Sequence, residues 1–152
     1  MRNRKLAELD VLVGAWEMRA MIEGHTVASG RVVYEWAEGG SFLLQRSEGG
    51  PDPSAPEAWH AHSPFPTVTM TGLDDLTQTF TVLYADARDV FRVYQMTFDG
   101  GVMRMWRDAP GFSQRFTARL GEDGKSLVGY WERSEDGREW LRDFDVVYAK
   151  TG

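Results

Sequence analysis

The chain has 152 residues, which at about 100–200 residues per domain is one domain, residues 1–152. Lys+Arg 17 against Asp+Glu 23 leaves a formal charge of −6, and that acidic balance argues against a nucleic-acid partner, which needs a basic face. No apolar run approaches the roughly 18 residues of a bilayer span, and zero cysteines exclude disulfides, thiolate metal ligands and a cysteine nucleophile.

The basic start, Met1 to Lys5, is followed by Glu8 and Asp10 and does not read as a signal peptide, so a cytoplasmic location is expected. Leu6, Leu9, Leu12 and Val13 recur at helical spacing and predict a helix over Arg4 to Val13, stopped by Gly14. From there the period changes to two. Ala15 to Ile22 alternates, and Thr26 to Ala37 reads as a long strand bent near Gly30. Ser41 to Glu48 follows after the turn at Glu38, Gly39 and Gly40. Gly49 to Pro66 holds all but one of the 6 prolines and predicts a loop, because proline has no N–H to give a ladder.

Strands then resume at Thr67 to Leu73, Phe80 to Asp86, Val90 to Phe98 and Val102 to Arg107. Ser113 to Leu120, Ser126 to Arg133 and Glu139 to Ala149 complete the series. Asp-Gly and related turns separate them, tolerating the positive φ of tight hairpins. Roughly ten sequential strands on short connections bury their edges best by closing on themselves. The expected fold is all-β: a closed up-and-down antiparallel barrel of about ten strands with a short N-terminal helix. The lack of helices between strands excludes a parallel α/β fold.

Gly14-Ala15-Trp16, directly after the N-terminal helix, resembles the Gly-x-Trp opening of lipocalin-like proteins, in which the tryptophan closes the base of the barrel. Further segments sharpen the likeness: Tyr34-Glu-Trp-Ala-Glu-Gly-Gly40, Pro110-Gly-Phe-Ser-Gln-Arg-Phe116 and Gly129-Tyr-Trp-Glu-Arg-Ser-Glu-Asp-Gly137. Together they resemble a bacterial lipocalin-like (calycin) family of unknown function, distantly similar to nitrobindin and fatty-acid-binding proteins. The resemblance spans essentially the whole chain and implies a barrel with an internal cavity. It implies no activity. Nitrobindins hold haem through a histidine on a C-terminal strand, whereas Glu139 to Ala149 contains none, so no cofactor is expected; Tyr148 is the one residue there able in principle to ligate iron. Inward arginines of fatty-acid-binding proteins hold ligand carboxylates, and a basic residue packs across the base tryptophan of many lipocalins, for which Arg142 is the candidate here.

The aromatic count, Trp 6, Tyr 5 and Phe 8, is the compositional oddity. Under period two, Trp16, Met18, Tyr34, Trp140 and Phe144 can face inward. So can the residues expected to line a ligand cavity: Trp36, Met70, Tyr84, Tyr94, Met96, Trp106, Phe116 and Trp131. Barrels of about ten strands are too wide for side chains to fill, and the remaining space suits an apolar ligand. Arg92 shares parity with Tyr94 and Met96, and Gln114 with Phe116. An inward arginine needs a partner, either an internal carboxylate or that of a ligand.

His60-x-His62 offers two imidazoles that could meet one ion if extended, yet zinc needs three or four ligands, so no metal site is assigned. Asp143-x-Asp145 is expected to face outward. There is no Gly-x-Ser-x-Gly elbow and no phosphate-cradling loop. The expected function is binding of a small hydrophobic molecule, with a carboxylate as its candidate polar group. The alternative is a cofactor-independent cyclase or isomerase using the same cavity, with Tyr94, Arg92 or His62 as acid or base. No nucleic acid or membrane partner is expected, and Met103 and Met105, on the parity opposite to Trp106, suggest an apolar outer patch for a homodimer.

Overall fold

The computed structural model describes residues 3–152. Ten antiparallel strands form one closed barrel: β1 (Gly14–Ile22), β2 (His25–Ala37), β3 (Phe42–Pro51), β4 (Thr67–Leu73), β5 (Phe80–Asp86), β6 (Phe91–Asp99), β7 (Val102–Arg107), β8 (Ser113–Leu120), β9 (Ser126–Ser134) and β10 (Leu141–Lys150). Every strand pairs with its sequence neighbours, and β10 closes on β1, so no edge is left to aggregate. Around this ring β6 stands opposite β1, five strands away in either direction. Among the described residues no helix is long and apolar enough to cross a membrane.

The N-terminal segment plugs one end. Asn3 caps a short helix α1 (Arg4–Ala7) by accepting from the Lys5 amide at 2.8 Å, and a 3-10 turn over Glu8–Leu12 follows. The single α-helix expected over Arg4 to Val13 thus tightens after one turn, as helix ends readily do. The tighter winding still buries Leu6, Leu9 and Leu12 against the barrel. Full burial of a leucine contributes roughly 1.5–3 kcal/mol, so the plug is a substantial part of the core.

Trp16 is buried beside it, with its indole Nε1 donating to the Leu12 carbonyl at 2.8 Å. The cation packed on Trp16 is Lys150, with its Nζ 5.3 Å from the ring centroid and bonded to the Val11 carbonyl. Arg142 was expected there. It lies instead on the outer face, paired with Asp145 at 2.6 Å and stacked on Tyr130. Gly14 is required at the seam: its φ is +130°, and a Cβ would stand 2.3 Å from the Gly152 carbonyl oxygen.

The opposite end is the mouth, where β2, β4, β6, β8 and β10 begin. Strand β3 runs on to Pro51, so the expected loop starts three residues later than Gly49, and it contains a helical turn, α2 (Glu57–Ala61). The loop folds inward: Phe65 packs into space left by Gly30, its ring carbon 3.2 Å from where a Cβ would be. Trp59 meets Phe144 edge to face at 5.2 Å.

Candidate functional site

A cavity of about 470 Å³ occupies the barrel. Its lower part is apolar, with Val32, Leu43, Val82, Met96, Met103 and Leu127 among its walls. Its mouth is polar and aromatic, and Trp59, His62, Pro64 and Phe65 of the inward-folded loop form part of the lining.

Two hydrogen-bonded clusters hold the mouth. Asp86, whose side chain is wholly buried, accepts from Tyr84 Oη at 2.7 Å and from Arg88 Nη2 at 2.6 Å, and also from the Arg88 backbone amide. Burial works against its charge, yet these donors hold its carboxyl below the usual range. Tyr84 is pushed far up by burial and by the Asp86 carboxylate it serves, so it remains a phenol.

The second cluster differs in one respect. Gln114 Oε1 accepts from both Tyr94 Oη at 2.7 Å and Arg92 Nη1 at 3.1 Å. The Arg92 guanidinium also lies 5.2 Å from the centroid of the Phe112 ring. Arg88 therefore has its own carboxylate, and Arg92 has none among the described residues. Burial raises Tyr94, offset by the nearby Arg92.

Of the residues expected from the sequence, Tyr84, Arg92, Tyr94, Met96, Gln114, Phe116 and Trp131 all line this cavity. Tyr94, Trp131 and Phe116 make a continuous aromatic wall with centroids 5.8 and 4.8 Å apart. Three residues do not join them. Met70 is on the outer surface, 39% exposed, because the register Thr71↔Leu43 and Thr69↔Gln45 turns the threonines of β4 inward. Trp106 pairs with Gln95 and Arg115 on the outside, while Met105 pairs with the inward Met96. Met103 and Met105 consequently line the cavity and supply no outer patch. Trp36 lies at the plugged end, where its Nε1 donates to Asp10 at 2.7 Å.

Sequence parity also fails on β10. A bulge between Arg142 and Phe144 makes Asp143 the extra residue, breaking the shared parity of Trp140, Arg142 and Phe144. Trp140 packs outside, 3.7 Å under the Arg115 guanidinium. Phe144 and Asp143 both face the cavity, although Asp143 was expected to face water. Burial raises the Asp143 carboxyl, countered by Arg133 at 3.8 Å. The two histidines do not converge as an extended pair: His60 belongs to the helical turn α2, and only His62 reaches the lining. No group of three or more His, Cys, Asp or Glu able to hold a metal occurs among the described residues.

The architecture recurs in a solved protein. The crystal structure of Rv2717c from M. tuberculosis is similar over 100% of both chains, with a TM-score of 0.66 and 14% sequence identity. At that identity the likeness is one of fold. No family model and no curated protein matches the chain. The closed barrel is thus compatible with ligand binding, and the chemistry has to be read from the cavity itself.

Proposed function

We propose that this protein binds a small hydrophobic carboxylate inside its barrel, as a lipocalin-like carrier or sensor. The observation that carries the reading is Arg92: a guanidinium in the cavity wall that donates to a neutral amide oxygen, lies beside an aromatic ring and has no carboxylate partner among the described residues. A cation so placed keeps donors for a bidentate anion, and such a bond is strengthened by a low-dielectric wall. The chain of the ligand would extend towards Met96, Met103 and Met105, whose flexible thioethers adapt to varied shapes.

Trp59 and Trp131 line the cavity and report occupancy by fluorescence. Titration with decanoate is expected to quench saturably, with the methyl ester binding roughly tenfold or more weakly because it cannot accept a charge-assisted pair. Equal affinity for acid and ester would remove the carboxylate from the reading. Absence of saturable binding by calorimetry as well would remove the carrier itself.

A second reading, an enclosing cyclase or isomerase, is favoured by one feature. Asp143 presents a carboxyl to the cavity whose proton burial makes harder to lose, which suits a general acid. Under it, Asp143→Asn abolishes turnover while carboxylate binding persists.

A further inference from the structure

Tyr34 on β2 and Tyr148 on β10 flank β1, and both line the cavity on the wall facing Arg92 of β6. Burial pushes the Tyr34 phenol far above its ordinary value, and proximity to Tyr148 adds to the shift; Tyr148 itself is pushed up to about 12. Both are hydroxyl donors at any physiological pH. Neither donates to a protein group among the described residues, in contrast to Tyr84 and Tyr94, which donate to Asp86 and Gln114. Beside Tyr34 in the cross-strand register is Gln45, also in the cavity wall, whose buried Oε1 accepts no hydrogen bond from the described residues.

Gln45 Oε1 is buried without a donor among the described residues, which costs about 1–3 kcal/mol. The Tyr34 and Tyr148 side chains line the same wall of the cavity with no hydrogen-bond partner among those residues. Apolar side chains would fill this wall at no such cost. We propose that Tyr34, Tyr148 and Gln45 form a second polar subsite that takes a neutral oxygen of the ligand, a hydroxyl or a carbonyl. A carbonyl would accept from the two phenols; a hydroxyl could also donate to Gln45. The ligand class narrows accordingly, from a plain fatty acid to an oxygenated carboxylate with its two polar functions on opposite walls. This rests on the reading of the cavity as a carboxylate site and adds the other end of the molecule.

The test is calorimetric titration of the full chain with octanoate, decanoate and dodecanoate, each against its ω-hydroxy counterpart. At least one hydroxylated acid is expected to bind roughly tenfold tighter than its parent, the value of one well-made buried hydrogen bond. Tyr34→Phe and Tyr148→Phe are expected to erase that preference while leaving the affinity for the unsubstituted acid within about twofold. Each variant removes one oxygen from a cavity wall, and a thermal melt checks that the barrel persists. Binding of the parent acids with no hydroxyl preference at any length overturns the subsite and spares the carboxylate reading. A preference that survives in both variants also overturns it, because other groups must then hold the oxygen. Failure of every acid to bind overturns the cavity reading and the subsite together.

Discussion

The two ends of the barrel use their large side chains in opposite ways. At the plugged end Leu9, Leu12 and Trp16 are buried to 1% exposure or less, and the polar groups there are paired: Trp16 with Leu12, Trp36 with Asp10, Lys150 with Val11. At the mouth the aromatic rings stand around open space, and Arg92 reaches it with no counter-ion among the described residues. One end is closed by complementarity within the chain. The other leaves a cavity open between its side chains.

Substitution at each end should therefore read out differently. The largest effect is expected from Trp16→Ala. Removing a buried tryptophan costs about 3–5 kcal/mol, which for a chain of this size lowers Tm by roughly 10 °C. Differential scanning calorimetry measures the loss, and a shift of only a degree or two would deny the plug its structural role. Arg92→Gln should behave in reverse: carboxylate affinity falls roughly 10- to 100-fold by titration, with Tm little changed. If Tm collapses instead, Arg92 is part of the scaffold.

Asp86 makes an intermediate case, a mouth residue with scaffold-like satisfaction. Its carboxyl is held below its ordinary value, so its contribution to stability is present above the usual carboxylate range and disappears as pH falls through the depressed value. Asp86→Asn should cost about 1–2 kcal/mol at pH 7 and less at low pH. Urea melts across that window check the convergence. Parallel curves would mean that the hydrogen bonds of this side chain matter and its charge does not.

The same contrast explains what was legible in the amino-acid order. Strand number and closure follow from turn chemistry and alternation, which act locally, and the place of Trp16 at the base was implied by the Gly-x-Trp resemblance. On β6 and β8 alternation also places Arg92, Tyr94 and Gln114 correctly, since the opposite parity is dominated by residues suited to water or the outer face. It misleads on β4, where Val68 and Met70 look like the core face but Thr67, Thr69 and Thr71 point inward. A polar-walled cavity inverts the usual rule that the apolar face is the inner one. On β7 both parities carry large apolar residues, Trp106 on one and Met103 and Met105 on the other, so only the cross-strand pairing with Met96 decides. On β10 the bulge after Arg142 depends on contacts with β9 and has no glycine to announce it. Tyr34 was legible as an inward ring, but its lack of a hydrogen-bond partner among the described residues is a property of the assembled wall.

That bulge yields the smallest and most delicate test of how the mouth differs from the plug. Asp143 is there because an extra residue rotates the chain, and its carboxyl is raised by burial despite the Arg133 guanidinium at 3.8 Å. A raised value means the folded state favours the protonated form. Stability associated with this group is complete below the ordinary carboxyl range and is lost as pH rises through the raised value. Asp143→Asn keeps the shape and removes the charge, so Tm should rise slightly at pH 7, with the difference vanishing in acid. Paired thermal melts at the two pH values measure it. A variant less stable at neutral pH would show that the Arg133 attraction outweighs desolvation, making Asp143 a scaffold residue like Asp86. A variant more stable would show a mouth that keeps an unfavourable charge against its own stability, as a site selected for its contents does.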